Sequence, residues 1–496
     1  MLKLYNDTRK LDASCRVSYG LTEEIMMENA AIALEKYVRN PFPISKDRRA
    51  PQKITILCGG GNNGADGYTL SRHLRFDYDV LVIQFFEPKS ELCKIQAERA
   101  EKCGVRFVKR DDLSFYDLRF NDIIVDCVFG SGFHGDLDEK TCDAMSDMNS
   151  CECFKIACDV PTGLREDGTV ADGAFAADLT VTMGALKTCL FSDFAKDFIG
   201  EIVCGELGVN RRLYENSSNS NLVAGFVLEK SDMALPHREK FNVNKGTFGH
   251  VAVALGDKAG AAVLAACAAL RFGAGLSTLV QKTGEKKKLN IPSEIMSASE
   301  IPENVKSVAL GMGLGREDEK SQVYFDYLIS HPNVKCVIDA DAFYAGGLKD
   351  FLKKKEKGVV LTPHPKEFQA LLKNCGIGEY SIEEILIDRL ALVEKFCRKF
   401  PKKTLLLKGS NVVIGYFDGY KYKMLVNPHG KPCLAKGGSG DVLSGMIAAL
   451  LAQGRRSIDA AVTGSLAHAF ASKKIKCDYS MTPQDLISAL SELADD

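Results

Sequence analysis

The chain has 496 residues, which at ~150 residues per domain allows about three domains, and two of the larger α/β kind fit equally well. Lysine and arginine number 64 against 65 acidic residues, a net charge of −1 that removes the electrostatic case for a dedicated nucleic-acid or anionic-membrane binder. With 46% hydrophobic and 26% charged residues wholesale disorder is excluded, and 17 cysteines without a Cys-x-x-Cys pair point to reduced thiols rather than a disulfide frame or a zinc site.

The opening segment MLKLYNDTRKLDAS mixes charge into every turn and lacks the apolar core of a signal peptide. The longest apolar stretch, Ala259 to Leu270, is 12 residues, too short to cross a bilayer. A soluble, cytoplasmic protein with no membrane partner is the expectation.

Short apolar, β-branched runs then alternate with helical patterns. Ile54–Cys58, Val80–Phe85, Ile123–Cys127, Phe154–Cys158 and Leu179–Met183 predict buried strands, with helical patterns such as Thr69–Arg75 and Ser90–Lys102 between them. That rhythm indicates a parallel sheet covered by helices on both faces. Residues 216–221, NSSNSN, have the most linker-like composition of the chain. The alternation then restarts with strands at Val251–Leu255, Ser277–Val280, Val308–Leu310, Val337–Ile338, Val359–Leu361 and Leu405–Leu407. Helices are predicted at Ala259–Phe272, Pro365–Lys373, Ile382–Arg398, Asp441–Gln453 and Ile458–Lys474. Two successive α/β domains follow, 1–215 and 226–496, with a linker at 216–225. The KKK runs at 286–288 and 353–355 are expected to be solvated charge.

In the first half, Gly59, Gly61 and Gly64 satisfy G-x-G-x-x-G after a strand, which suggests a Rossmann-like dinucleotide fold. The second strand carries Gln84 where a ribose-binding carboxylate is expected, which weakens an ordinary hydride-transfer reading. Asn62 and Asn63 offer amide oxygens to a cation and amide N–H groups to phosphate or carboxamide. Asp126 ends a second strand ahead of Gly130, Gly132 and Gly135, and Asp159 ends a third just before Pro161, Thr162 and Gly163. Each alone could be a helix cap or turn residue. Ligands in open α/β sheets bind at the carboxyl ends of strands, so three polar ends with adjacent glycines point to one pocket.

The segments NNGADG, DCVFGSGFHGD and DVPTG resemble the signatures of the YjeF N-terminal family, the NAD(P)HX epimerases, over most of residues 1–215. The resemblance implies a potassium ion held by Asn63, Asp126 and Thr162. It implies dinucleotide contacts from Asn62, Asn63, Gly64, Ala65 and Asp66 and from Gly130, Ser131, Gly132, Phe133, His134, Gly135 and Asp136. Asp159 would lie against the nicotinamide as the group for acid–base work at the hydrated carbon. Ala65 stands in place of a usual glycine and Thr162 where many members have serine; a threonine hydroxyl remains an oxygen ligand.

The strongest pattern in the second half is Ala435-Lys436-Gly437-Gly438-Ser439-Gly440-Asp441 running directly into an apolar helix. Such a loop leaves the first helical N–H groups facing an anion, and an aspartate in that turn can take a proton from a hydroxyl. The segments GMGLG (311–315), CVIDADAF with Asp339 and Asp341, LTPHPKEF with His364, and LLLKGSNVVI with Lys408 each follow a predicted strand. Together they resemble the ribokinase-like fold and, within it, the YjeF C-terminal family of nucleotide-dependent NAD(P)HX dehydratases, over roughly 230–493. The resemblance implies contacts to the hydrated dinucleotide from Ala261, Gly313, His364 and Asp441. It also implies adenine-nucleotide contacts from Lys408, Gly409, Ser410, Asn411, Val412 and Gly440. The GDKAGAAVLAA segment lacks the tyrosine seen in some members.

The expected function is therefore bifunctional repair of hydrated NADH and NADPH. The first domain would interconvert R- and S-NAD(P)HX. The second would dehydrate the S form with ADP (or ATP) as phosphoryl donor and Mg2+, Asp441 acting as base. Homo-oligomeric assembly is implied by the family, and no nucleic-acid partner is expected. The sequence physics does not separate ADP from ATP. Two rivals stay open: a ribokinase-like vitamin or sugar kinase in the second half, and a non-catalytic nucleotide- or RNA-binding module in the first.

Overall fold

The computed structural model describes residues 1–41, 52–112, 121–216, 222–281 and 291–494. Most of the NSSNSN segment, residues 217–221, and the KKK run at 286–288 lie outside the described residues. The chain divides into two compact units, Lys3–Ala224 and Gly225–Asp496, the latter with Met1–Leu2.

The Lys3–Ala224 unit is built on a seven-stranded parallel sheet. Its order is Arg106–Lys109, Asp79–Gln84, Lys53–Cys58, Ile123–Cys127, Phe154–Cys158, Leu179–Met183 and Glu201–Gly205. Alternate side chains of each strand serve opposite faces. Ile54, Ile56 and Cys58 enter one core with Met26, Ala30 and Leu34 of the helix Glu23–Arg39. Leu57, Ile124 and Ala157 enter another with Met145 and Met148 of the helix Glu139–Ser150. Burial on both faces explains why these strands read as unbroken apolar runs. The strand order reverses between Lys53–Cys58 and Ile123–Cys127, and this is where such sheets open a ligand crevice.

In the Gly225–Asp496 unit the sheet runs Met296–Ala298, Leu276–Val280, His250–Ala254, Ser307–Leu310, Lys335–Ile338, Val359–Leu361 and Lys403–Leu407, all parallel. It continues through the antiparallel strands Val412–Phe417 and Tyr422–Asn427, and Phe226–Val227 pair with Leu425–Val426. The alanine-rich segment that is too short for a membrane span is the helix Ala259–Arg271. It packs backbone to backbone on the helix Ser439–Ala452: a Cβ on Gly445 would lie 2.1 Å from the Ala265 carbonyl oxygen. Small residues here permit the close approach that a packed interior requires.

Two expectations are corrected. The pattern at 382–398 is two helices, Ile382–Ile387 and Arg389–Lys399, separated at Asp388. The break lets the Arg389 side chain turn inward, where it is 3% exposed. In the KKK run at 353–355, Lys353 and Lys354 end the helix Leu348–Lys354, but Lys355 is buried. Its ammonium donates to the carbonyls of Leu328, His331 and Pro332 at 2.8, 3.0 and 3.1 Å, so its charge is spent closing a helix C-terminus.

Candidate functional site

In the Lys3–Ala224 unit the strand Lys53–Cys58 leads through the glycine run into the helix Asn62–Leu74, with Gly61 at its N-cap. Gly64 sits where any side chain would collide, since a Cβ would lie 1.9 Å from the Gly59 carbonyl oxygen. The turn is thereby folded flat against the strand end, and Asn62 is left exposed beside a half-buried Asn63. A Cβ on Gly130 would stand 3.3 Å from Asn63 Oδ1 and 3.2 Å from Asp159 Oδ2. Three of the sequence-predicted segments therefore meet around one crevice.

Asp126 lies behind it, fully buried. Its carboxylate accepts from Thr162 N and Thr162 Oγ1, both at 2.7 Å, and from Val128 N at 3.1 Å. The Thr162 hydroxyl in turn accepts from Phe129 N at 3.0 Å. Burial pushes the Asp126 carboxyl up to about 6, against the pull of those hydrogen bonds.

Asp159 occupies a left-handed backbone conformation, φ +69°, uncommon for a residue with a side chain. The conformation is held by its neighbours. Its N–H donates to Val181 O at 2.8 Å, Ser131 N donates to Oδ2 at 3.1 Å, and Met183 N donates to Oδ1 at 3.3 Å. Lys187 Nζ donates to Oδ1 at 2.6 Å, with side-chain exposures of 2% for Lys187 and 13% for Asp159. Burial alone would raise the Asp159 carboxyl, but the Lys187 charge and these hydrogen bonds outweigh it and hold the group below the ordinary carboxylate range. Removing either partner of such a buried pair leaves the other uncompensated, at a cost of about 3–5 kcal/mol. Asp66, half-buried nearby, is pushed well above its usual range by burial and by the Asp159 charge.

The Gly130–Asp136 segment is divided. Gly130 and Ser131 form the crevice wall. Phe133 is buried against Phe129 at 5.0 Å between ring centroids. Gly132, His134, Gly135 and Asp136 are exposed, with Asp136 ion-paired to Arg165 at 2.6 Å and the Gly135 carbonyl also taken by Arg165.

In the Gly225–Asp496 unit the carboxyl ends of the strands carry the expected turns. Gly311 adopts φ +116°, where a Cβ would lie 1.8 Å from the Asp339 carbonyl oxygen. Only glycine fits there. The Gly313 carbonyl accepts from Lys258 N at 2.9 Å, which ties the GMGLG turn to the start of the helix carrying Ala261.

Lys408 is the hub of this site. Its ammonium lies 3.0 Å from Asp339 Oδ1 and 3.6 Å from Glu367 Oε2. Ser444 Oγ donates to Asp339 Oδ2 at 2.6 Å. Gly440 borders the cluster, since a Cβ there would be 3.3 Å from Lys408 Nζ. Asp441 follows in the first turn of the helix Ser439–Ala452, whose N-cap is Gly438 at φ +92°, a residue with no side chain to satisfy the first-turn N–H groups. Burial, then the Asp339 charge, pushes the Asp441 carboxyl up to about 6 against the opposing pull of Lys408.

His364 caps the helix Pro365–Asn374. Its Nδ1 accepts from Glu367 N at 3.3 Å, while the His364 backbone N–H donates to Glu367 Oε2 at 2.8 Å. Burial and the Lys408 charge lower its pKa. The Lys408–Val412 segment is pinned from behind, Arg389 donating to the carbonyls of Lys408 and Asn411 at 3.3 and 3.0 Å. Gly409 and Ser410 are exposed, Asn411 is buried, and Val412 opens a strand.

Residues 23–189 match the family described as YjeF-related protein N-terminus, and residues 251–492 match that described as NAD(P)H-hydrate dehydratase. A bifunctional NAD(P)H-hydrate repair enzyme of Helicobacter pylori is 40% identical over 493 residues, spanning 99% of this chain and 100% of that protein. This chain belongs to the bifunctional NAD(P)H-hydrate repair enzyme family. A second member, from Dictyoglomus turgidum, is 30% identical over 98% of this chain and 96% of its own length. Among solved structures, an ADP/ATP-dependent NAD(P)H-hydrate dehydratase of Bacillus subtilis co-crystallised with ATP and Mg2+ is similar at 24% identity. Its TM-score is 0.43, with coverage of 52% of this chain and 92% of that one.

For this family member, sequence reasoning missed Lys187, Glu367, Arg389 and His468. His468 is buried, and its Nε2 lies 3.1 Å from Ser439 Oγ and 3.0 Å from Ser439 O, directly beneath the glycine loop. Burial and the Lys408 charge lower it to about 4, so it is neutral. One of the four left a usable trace: Lys187 is the lone charge in the apolar run LTVTMGALKTCLF.

Proposed function

We propose that the chain repairs hydrated NADH and NADPH, residues 1–215 interconverting the R and S hydrates and residues 226–496 dehydrating the S form. The observation that carries this reading is that each crevice places an aspartate beside a glycine turn with its proton shifted in the opposite direction. Asp159, paired with Lys187 at 2.6 Å, is held below the ordinary carboxylate range, and Asp441, beside the Asp339–Lys408 pair, is raised to about 6.

At the first site the hydrated carbon bears a hydroxyl and the ring nitrogen. The Asp159 carboxylate takes the hydroxyl proton, the oxygen's electrons form a carbonyl, and the carbon–nitrogen bond breaks with its pair going to nitrogen. Asp159 then returns the proton to that nitrogen. Rotation and closure on the other face reverse each transfer, so no atom is gained or lost. The Asn63 and Ser131 segments that frame Asp159 would orient the carboxamide and phosphates, together with the remaining loop residues named above.

Asn63, Asp126 and Thr162 offer only amide, carboxylate and hydroxyl oxygens, a donor set that suits a hard cation. The Asn63 amide nitrogen is buried without a hydrogen-bond partner, and its oxygen lies toward Gly130 at the crevice. These three residues would hold potassium, which supplies a fixed positive charge beside the ring when bound.

At the second site Asp441 would take the proton of the S-hydrate hydroxyl as the oxygen attacks the terminal phosphorus of the nucleotide, whose bridging phosphorus–oxygen bond breaks with its electron pair going to the departing AMP (ADP when ATP is the donor). Phosphate then leaves with the carbon–oxygen electrons, and loss of a proton from the adjacent carbon forms the ring double bond. The first-turn N–H groups at Gly440 and Asp441 face the transferring group, and Lys408 balances its charge. Among the described residues no cluster of three or more metal-binding side chains occurs. Magnesium would therefore be held chiefly by the nucleotide, with Asp339 and Glu367 as available carboxylates, and supplies charge neutralisation at the phosphoryl oxygens when bound. ADP is the proposed donor, and homo-oligomeric assembly belongs to the same reading.

The test is incubation of the full chain with R,S-NADHX, Mg2+, K+ and either ADP or ATP, following NADH absorbance. Full recovery of both epimers is expected, faster with ADP. Recovery of only the S fraction overturns the assignment of residues 1–215. No recovery with phosphorylation of an added vitamin alcohol overturns the assignment of residues 226–496.

A further inference from the structure

Lys187 is a buried ammonium that the acid–base scheme does not itself consume. It forms the second position of the two-residue strand Leu186–Lys187, and its Nζ makes three contacts. Asp159 Oδ1 is at 2.6 Å, Thr182 Oγ1 at 3.1 Å and the Met183 carbonyl at 3.2 Å. An ammonium has three protons to donate, so its donor capacity is filled and it has no proton to spare for a substrate. Every contact instead fixes Asp159 or the strand end beside it. Asp159 Oδ1 is turned to Lys187, and Oδ2 is left facing Gly130 and accepting from Ser131 N.

Among the described residues, the other titratable groups around the pair take no hydrogen bond from the Lys187 ammonium. Asp12, on the helix Arg9–Tyr19, accepts from Tyr214 Oη at 2.6 Å and is raised by burial. Asp66, on the helix Asn62–Leu74, is raised by burial and by Asp159. Cys158 is raised by its thiol partner Cys127 and by burial, while burial raises Cys189 and Cys204. Burial disfavours the charged form of each of these groups, whereas Lys187 and Asp159 favour each other's charged form.

We propose that Lys187 is the positioning residue of the epimerase centre, its ammonium anchored on Thr182 and Met183 so as to keep Asp159 a carboxylate with Oδ2 presented to the crevice. Lys187 does not touch the substrate and acts only through Asp159. The inference rests on the epimerase reading of the first unit.

The measurement is the pH dependence of kcat and KM for R-to-S conversion of NADHX by the full chain, without nucleotide, in wild type, Lys187→Met, Lys187→Gln and Lys187→Arg. Wild type should show its acid limb below the ordinary carboxylate range. In the Met and Gln variants the limb should move up by at least one pH unit, with kcat recovering above it and KM little changed. The arginine variant should keep the wild-type limb. An equal fall at every pH, with the limb unmoved, overturns the proposal. Dehydration of S-NADHX in the same samples reports whether the other unit is intact. If neither uncharged variant folds, 13C titration of the Asp159 carboxyl in the wild-type chain decides. A transition below ~3.9, the unperturbed aspartate value, supports the role of Lys187, and one at or above it overturns it. Absence of epimerisation in wild type overturns the functional reading instead, and the 13C titration still tests the pairing.

Discussion

Asp159 and Asp441 stand at comparable places, each beside a glycine-rich turn at the carboxyl edge of a parallel sheet, yet their protons are held in opposite ways. In the Lys3–Ala224 unit Lys187 is bonded to Asp159 itself, at 2.6 Å. In the Gly225–Asp496 unit the lysine is bonded to Asp339 and Glu367, at 3.0 and 3.6 Å, and Asp441 meets the negative charge of Asp339 across the gap. The fold supplies the turn and the aspartate alike in both. The side chain that claims the lysine sets the titration.

The largest effects are expected where each activity loses its own aspartate. Asp441→Asn should lower dehydration by about 10³-fold, the scale of a lost general base, while R-to-S conversion continues at the wild-type rate. Asp159→Asn should do the reverse. Chromatographic resolution of the epimers beside NADH absorbance checks both; a parallel fall in the two rates would show that the sites are not independent.

Lys408→Met should follow with a loss of about 10²-fold at neutral pH, as for other charge-stabilising groups aimed at a transition state. Its sign in pH is opposite to any simple loss of binding. Lys408 lowers Asp441, so without it the aspartate holds its proton to higher pH and the acid limb of dehydration moves up from about 6. A rate profile that drops without moving would mean that Lys408 acts on nucleotide alone.

Gly64→Ala tests the packing beneath the first crevice. The added methyl would have to displace the Gly59 carbonyl, and overpacking of this kind costs about 1–3 kcal/mol. Denaturant melts with a probe in residues 3–224 should shift while dehydration is unchanged. The smallest effect is expected for His468→Ala, which deletes the support under Ser439. Loss of one neutral hydrogen bond, about 1 kcal/mol, should raise the KM for nucleotide about five-fold and leave kcat nearly intact.

Much of this architecture was legible because the strands are buried on both faces. Ile123–Cys127, Phe154–Cys158, Leu179–Met183 and Val359–Leu361 coincide with apolar runs whose ends need no further information. The crevice residues Asn63, Gly130 and Asp159 were legible only jointly, since each alone could be a cap or turn residue but three polar strand ends with adjacent glycines converge on one crevice. The helix break at Asp388 was not, because the apolar spacing continues through it and the inward turn of Arg389 is a demand of the Lys408–Asn411 loop. Lys187 and His468 escaped for the opposite reason. Lys187 is the one charge in its apolar run and His468 the one titratable group between Asp459 and Lys473, and the partner of each is supplied by a distant part of the chain: Asp159 for one and Ser439 for the other. Lys355 shows the hazard of reading a charge run by composition, since one of its three lysines is fully enclosed.

The proton of each aspartate should follow the commitment of the neighbouring lysine, and a pair of pH–rate profiles from one preparation of the full chain tests this: R-to-S conversion without nucleotide and S-NADHX dehydration with ADP. A base works only when ionised, so a raised carboxyl loses activity at higher pH than a lowered one. Dehydration should fall with an acid limb at about 6, and epimerisation should persist through that range and fall only below the ordinary carboxylate range. Coincident limbs, or the reverse order, would contradict the account.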